Sequence, residues 1–278
     1  MRSPRATLGR RLHQWVWGCP DDAEFTRRFA IANRRWRIPI QLEFDEALRV
    51  FRVSDSGNQI AVSRRSRLSL YFTGMSARED QLVRDYLLAR IPFESGDRIV
   101  DVGANIGEVS QLLARRYGVI PTAFEPEDRE FQALEENLRQ TDGSAHNELL
   151  WSHRTELTFH DANDSGDSSI FHTSHAKSSR PRTTTTLDAA IEETAASRGA
   201  IRLLKLEAEG AEPEVLAGAT ETLGRTQFVT ADVGPERGPE QKTTLIPVYE
   251  HLRDSGFEAV DVTAKRLSIL FKKSSFTG

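Results

Sequence analysis

Cysteine is almost absent: Cys19 is the single one in 278 residues. An intramolecular disulfide and a four-cysteine zinc site are both excluded, and a reducing compartment suits such a chain. Long apolar runs are missing as well. No stretch of about 18 apolar residues occurs, so no transmembrane segment is expected. Near the start, the best apolar stretch, residues 12–16, is interrupted by His13 and Gln14, so no secretory leader is expected and the working place is taken as cytoplasmic. A strong excess of either charge is also lacking. A net charge of −4 supplies no global attraction to nucleic acid or to an acidic membrane. What is present, 38% hydrophobic and 28% charged residues, is the composition of a globular protein, too apolar for wholesale disorder. The length suits one domain with an extension.

The first stretch, up to about residue 37, is rich in arginine: Arg2, Arg5, Arg10, Arg11, Arg27, Arg28, Arg34, Arg35 and Arg37. Trp15, Trp17, Phe25, Phe29 and Trp36 are interleaved with them. A nucleic-acid surface is one reading. A helical extension that packs its aromatics and solvates its arginines is the favoured one, with no nucleic-acid partner. Short strands are expected at 48–53 and 59–63 around the turn Asp55-Ser56-Gly57-Asn58. Ser76 with Glu79 three residues later has the spacing of a helix capping box. The division expected is an N-terminal extension over 1–75 and a larger domain over 76–278.

From residue 98 strands and helices alternate. Strands are expected at 99–102, 119–124, 146–151, 201–206 and 227–233, and helices at 109–117, 127–140, 187–197, 213–223 and 244–254. Residues 156–160 alternate as in a hairpin, and the polar residues 161–185 look like a long loop. The end, 257–262 and 267–271, looks like an antiparallel pair. Alternation of this kind implies an α/β fold with a doubly wound, Rossmann-like, mostly parallel sheet and a terminal antiparallel hairpin.

The strongest local signal is Asp101-Val102-Gly103-Ala104-Asn105-Ile106-Gly107, which follows an apolar strand and opens a helix. Gly103 permits positive φ, and Gly107 permits close approach at the helix start. A dinucleotide fingerprint needs another glycine at position 105, where this chain has Asn105. The pattern therefore suits a nucleoside ligand without an obligatory diphosphate, such as S-adenosylmethionine, whose ammonium Asp101 can pair with. Glu125, about 20 residues beyond the loop at the end of the next strand, is placed to accept from both ribose hydroxyls.

With Phe124-Glu125-Pro126, Asn137, Thr186-Leu187-Asp188, the block Leu204-Lys205-Leu206-Glu207-Ala208-Glu209-Gly210-Ala211-Glu212 and Val215-Leu216-Ala217-Gly218-Ala219, the chain resembles the FkbM family of methyltransferases from about residue 70 onward. The family's usual block is Lys-Ile-Asp-Val-Glu-Gly, so Glu207 stands where an aspartate is usual. The resemblance implies S-adenosylmethionine as cofactor. It also implies methyl transfer, often to hydroxyls of sugars, glycan precursors or specialised metabolites. The cofactor residues implied are Asp101, Gly103, Ala104, Asn105, Gly107, Glu125 and Pro126.

Methyl transfer is an in-line displacement, so it is a task of alignment, and a hydroxyl acceptor also needs its proton removed. Such groups belong at the carboxyl ends of strands in an open α/β sheet. Glu207 and Glu209 follow one such strand and Asp232 ends another. Glu209 is the leading candidate for base or acceptor-binding residue, because it matches the family block without substitution. Lys205 suits a salt bridge to one of these carboxylates. Glu212 and Glu214 suit the positive end of the next helix, and Asn137 a helix end. His153 follows the third strand; His160, His172 and His175 lie in or near the long loop, with Ser168 and Ser169. Glu207, Glu209 and Asp232 are hard oxygen ligands suited to a divalent cation such as magnesium, but no fixed-spacing metal motif accompanies them and no metal is expected. The acceptor expected is a small molecule or carbohydrate, and the N-terminal extension is a candidate homo-oligomer contact. A nucleotide-dependent oxidoreductase and a non-catalytic cofactor-binding module are the alternatives.

Overall fold

The computed structural model describes residues 4–162, 170–171, 176–192, 194–263 and 266–275. The chain divides into two compact units, Met1–Arg78 and Glu79–Gly278.

The first unit begins with helices α1 (Pro4–Trp17) and α2 (Asp22–Trp36). Asp21 caps α2, its Oδ1 accepting from the Glu24 N–H at 2.6 Å, as a short acceptor side chain does for an orphan helix donor. Phe25 and Phe29, one turn apart, are buried. Phe25 meets Phe51 edge-on at 5.9 Å, a favoured arrangement of ring quadrupoles. Arg10, Arg11, Arg27, Arg34, Arg35 and Arg37 are exposed, so the segment solvates these arginines and buries Phe25 and Phe29, while Trp15, against expectation, is also exposed. Strands β1 (Gln41–Asp45), β2 (Val50–Ser54) and β3 (Gln59–Val62) follow as an antiparallel sheet. The sequence signalled the last two; β1 has only two apolar residues, Leu42 and Phe44, and escapes a pattern search. Helix α3 (Met75–Asp85) corrects the capping-box expectation. Ser76 lies inside its first turn, and the Met75 N–H is taken by Asp55 Oδ2 at 3.1 Å. Glu79 pairs instead with Arg115.

In the second unit come β4 (Arg98–Val102), α4 (Glu108–Tyr117), β5 (Ile120–Phe124), α5 (Asp128–Leu138), β6 (Ser144–His146), β7 (Leu149–Leu150), β8 (Glu156–Ala162), β9 (Ala176–Thr185) and α6 (Leu187–Ala190). Then follow β10 (Ile201–Leu206), α7 (Glu212–Ala217), α8 (Thr220–Gly224), β11 (Thr226–Asp232), α9 (Leu245–Asp254), β12 (Phe257–Val262) and β13 (Ser268–Lys273). Among the described residues a seven-stranded sheet runs β12-β13-β11-β10-β4-β5-β6. β6, β5, β4, β10 and β11 are parallel, and β13 is antiparallel to both β11 and β12. This is the doubly wound α/β sheet with its terminal hairpin. The chain winds outward from β4 through β5 and β6, then crosses to β10, so strand order reverses between β4 and β10. Ligands of open α/β sheets bind at the carboxyl ends of strands beside such a reversal.

Alternate residues of the central strands feed two cores. Val100, Val102, Leu204, Leu206, Val229 and Ala231 pack with Val215, Leu216, Val248 and Leu252 on one face. Ile99, Leu203, Phe228 and Leu270 pack with Val109, Leu112 and Leu113 on the other. Burial on both faces explains why these strands look like continuous apolar runs.

Several boundaries differ from expectation. The strand expected at 146–151 is two, β6 and β7, in different sheets. The loop expected at 161–185 contains β9, a polar strand paired antiparallel with β8; its Ser, Thr and Arg residues carry no apolar period. The helix expected at 187–197 shortens to α6 and a 3₁₀ turn at Ala195–Ser197. The helix expected at 213–223 is broken at Gly218, where a Cβ would lie 2.4 Å from the Trp151 carbonyl oxygen.

Candidate functional site

The glycine loop leaves β4 with three residues in the left-handed region: Gly103 (φ 67°), Asn105 (φ 52°) and Gly107 (φ 80°). A Cβ at Gly103 would sit 1.7 Å from the Glu207 carbonyl oxygen, and one at Gly107 would sit 2.5 Å from Leu134 Cδ1. The backbone contact at the end of β10 thus requires glycine at 103; at 107 the atom met is the end of a leucine side chain, and the left-handed backbone is what favours glycine. Ala104 is buried, and its N–H donates to the Phe124 carbonyl at 2.9 Å. Asn137 is more than a helix-end residue: its Nδ2 donates to the Ile106 carbonyl at 2.7 Å and ties the loop to α5.

Glu125, just beyond β5, joins this loop directly. Its Oε2 accepts from the Asn105 N–H and its Oε1 from the Glu127 N–H, each at 2.8 Å. The side chain is buried, and burial pushes its carboxyl up to about 8, against the pull of the two backbone donors. Pro126 follows, its carbonyl accepting from Arg182 Nη1 at 3.0 Å.

Asp101 is turned into the protein. It is 1% exposed, accepts from Ser110 Oγ at 2.7 Å, and faces Lys205 Nζ at 3.1 Å in an ion pair without hydrogen-bond alignment. The protein's own ammonium therefore holds the position expected for the ligand's. Lys205 also pairs with Glu207 Oε2 at 3.1 Å and donates to the Gly103 carbonyl at 2.7 Å. The Tyr86 hydroxyl donates to Glu207 Oε2 at 2.5 Å. Arg266, from the turn between β12 and β13, bridges Glu207 and Asp232. Both cations approach the Tyr86 ring, Lys205 Nζ at 5.4 Å and Arg266 Cζ at 5.1 Å from its centroid, where the negative face of the π system attracts them. Burial raises the Tyr86 hydroxyl above its ordinary range and pushes Asp232 up to about 6, the latter opposed by a bond from the Gly234 N–H at 3.1 Å. With its carboxylates ionised, this cluster of Asp101, Glu207, Asp232, Lys205 and Arg266 holds three negative and two positive charges. Tyr86 and Arg266 gave no sequence signal, because their partners are far away in the chain.

Glu209 lies in the turn after β10. It is half-buried, with a left-handed backbone (φ 49°), a conformation that costs a non-glycine residue energy and recurs at functional sites. Glu212 braces this turn, which corrects its assignment to the helix end alone. Its Oε1 accepts from the Ala208 and Gly210 N–H groups at 2.8 and 3.1 Å, and its Oε2 from Thr244 Oγ1 at 2.9 Å. Arg237 donates to the Gly210 carbonyl at 2.7 Å and forks onto Glu214 at 2.8 and 2.7 Å.

His153 is exposed in the turn after β7, its Nδ1 2.9 Å from Ser152 Oγ. His160 lies in β8 opposite Ser179, with Nδ1 2.7 Å from Ser179 Oγ. His172, His175, Ser168 and Ser169 fall outside the described residues. Among the described residues no group of His, Cys, Asp and Glu has the arrangement of a metal site; Glu207 and Asp232 are instead bridged by Arg266.

S-adenosylmethionine presents a ribose diol, an adenine, an amino-acid tail and a positively charged sulfonium. The groups at the strand ends suit it: a buried carboxyl hydrogen-bonded to the glycine loop, and a neighbouring cluster with one negative charge in excess.

Comparison with known proteins agrees with this geometry. The model of the Methyltransferase FkbM domain matches residues 101–273, more than half of the chain. No curated protein matches. Solved structures that resemble the chain include a precorrin-6y C5,15-methyltransferase from Geobacter metallireducens, at 12% identity, 69% of this chain, 89% of that one and a TM-score of 0.42. A SAM-dependent methyltransferase from Aquifex aeolicus matches at 12% identity, 75% and 92% coverage and a TM-score of 0.41. An rRNA methylase from Streptococcus thermophilus matches at 13% identity, 71% and 97% coverage and a TM-score of 0.40. Likenesses this distant carry no assignment. The strand order and the family match do, and the chain belongs to the FkbM family of S-adenosylmethionine-dependent methyltransferases.

Proposed function

We propose that the chain methylates a hydroxyl group of a small acceptor, a sugar, a glycan precursor or a specialised metabolite. The observation that carries this reading is the setting of Glu209, half-buried just beyond β10 on a left-handed turn that Glu212 braces. A carboxylate so held is suited to orient a hydroxyl and take its proton.

S-adenosylmethionine, when bound, supplies a methyl carbon activated by its sulfonium. In this reading the loop of Gly103, Ala104, Asn105 and Gly107 holds the cofactor, with Glu125 accepting from the ribose hydroxyls and Pro126 beside it. Asp101, Glu207 and Asp232 contribute the excess negative charge that favours a cation at the strand ends. Glu209 receives the hydroxyl proton as the oxygen–carbon bond forms and the carbon–sulfur bond breaks. His153, exposed beside Ser152, is the weaker candidate for that role.

The remaining parts of the proposal are a catalytic domain over 76–278, an N-terminal extension over 1–75 that serves acceptor docking or homo-oligomer contact, and a cytoplasmic working place. Among the described residues no helix is long and apolar enough to cross a membrane. The test is a tritiated-methyl transfer screen over sugars, nucleotide sugars and extracted glycans, with the product identified by NMR. A methyl ether is expected. A product methylated on nitrogen or carbon would overturn the hydroxyl assignment.

A further inference from the structure

Arg182 lies in β9, outside the seven-stranded sheet, opposite Leu157 of β8. Its side chain is only 16% exposed. The guanidinium spans two loops. Nη1 donates to the Pro126 carbonyl at 3.0 Å; Nη2 donates to the Asn147 carbonyl at 3.0 Å and to Asn147 Oδ1 at 2.9 Å. Asn147 passes the connection on, its Nδ2 donating to the Glu125 carbonyl at 3.0 Å. The Glu125 N–H in turn donates to the His146 carbonyl at 3.0 Å, and the Glu125 carboxyl holds the Asn105 N–H of the glycine loop. A continuous series of hydrogen bonds thus runs from the β8–β9 hairpin, through the loops after β6 and β5, to the loop after β4. One rigid planar fork can satisfy three acceptors on two loops; the single ammonium of a lysine lacks that geometry.

We propose that Arg182 is a positioning residue that sets the spacing of the loops after β5 and β6, and thereby the fit of the adenosine half of the cofactor. The inference rests on the assignment of Glu125 to the ribose. It makes the hairpin, whose sequence carries no cofactor motif, part of the nucleoside site's support. Asp128, which pairs with both Arg180 and Arg182, is a charge partner at the rim, and the carbonyl contacts carry the positioning.

The test is calorimetric binding of S-adenosylmethionine and of 5′-methylthioadenosine, which has the nucleoside but no amino-acid tail, to the full-length protein. Arg182→Lys keeps the charge and loses the fork. It is expected to weaken both ligands by the same factor, roughly tenfold or more, the scale of losing one or two hydrogen bonds from a charged donor. Asp128→Asn, which spares the carbonyl contacts, is expected to bind both within about twofold. Asn147→Asp keeps the acceptor facing Arg182 but loses the donor to Glu125, and is expected to weaken both ligands even if the Arg182 variant does not fold. A folded Arg182→Lys protein with wild-type affinity, or one that weakens S-adenosylmethionine while sparing 5′-methylthioadenosine, would overturn the proposal. Wild-type protein that binds neither ligand would instead overturn the cofactor assignment on which it rests.

Discussion

Replacing Glu125 perturbs two properties that can be measured separately. Its carboxyl accepts two backbone N–H groups, from Asn105 and Glu127, each at 2.8 Å. At pH 7 a carboxyl pushed up to about 8 is mostly neutral, so each contact counts as a neutral hydrogen bond of about 1 kcal/mol. Where water does not replace the carboxyl in Glu125→Ala, the cost per bond rises to that of an unsatisfied donor, roughly 1–3 kcal/mol each. A stability loss of about 2–6 kcal/mol is expected, read from urea denaturation. Cofactor affinity should fall by about 1–3 kcal/mol, the scale of two neutral hydrogen bonds, some 5- to 150-fold in Kd, read by calorimetry. The pH dependence has a definite sign. The folded-state value, about 8, lies above the ordinary 4.5. Stability from this group is therefore fully present below about pH 4.5 and is lost as pH rises through about 8. Wild-type Tm should fall between pH 6 and 9 by more than that of Glu125→Gln, which has no group to titrate. Parallel pH profiles for the two proteins would refute the burial reasoning. Unchanged cofactor affinity in folded Glu125→Ala would remove Glu125 from the ribose site.

Other consequences are open to direct measurement. Gly103→Ala must open the contact with the Glu207 carbonyl at a position of positive φ. It is expected to lower stability by about 2–4 kcal/mol and to weaken cofactor binding; a wild-type urea midpoint would contradict the contact. Lys205→Met strips the ammonium from Asp101 and Glu207 and should cost about 3–5 kcal/mol in chemical denaturation. A loss under about 1 kcal/mol, the scale of an exposed pair, would show that the cluster is more hydrated than its burial implies.

The parallel sheet was legible because strands buried on both faces leave unbroken apolar runs, as at residues 99–102 and 201–206. The glycine loop was legible because positive φ and close approach leave glycine in the chain. The place of Glu125 just beyond β5 followed from its spacing. The partners of the strand-end carboxylates were not legible: Tyr86 and Glu207 lie 121 residues apart, and Arg266 and Glu207 lie 59 apart. No local pattern records a contact that only the tertiary fold creates. Glu212 misled for a related reason, since an acidic residue at a helix start has an ordinary local role and gives no sign of the turn it braces. β9 escaped because polar strands lack hydrophobic period. Whole-chain charge was also too coarse a guide. Residues 1–78 hold fifteen arginines, no lysine and seven carboxylates, for a net +8, against −12 over residues 79–278. The absence of a nucleic-acid partner therefore stands as a proposal for the first unit. Salt-sensitive RNA binding by the full chain would reverse it.

The central claim is carboxylate-assisted methyl transfer to oxygen, and Glu209→Gln tests it most directly. The substitution keeps the size of the side chain and removes its charge and basicity. With the acceptor identified by the transfer screen, labelled-methyl turnover and S-adenosylmethionine affinity are measured on the same preparation of wild type and variant. Turnover is expected to fall by roughly 10²–10⁴-fold while cofactor affinity stays within about twofold. Full turnover in the variant would contradict the account, and an equal loss of cofactor affinity would move Glu209 into the cofactor site.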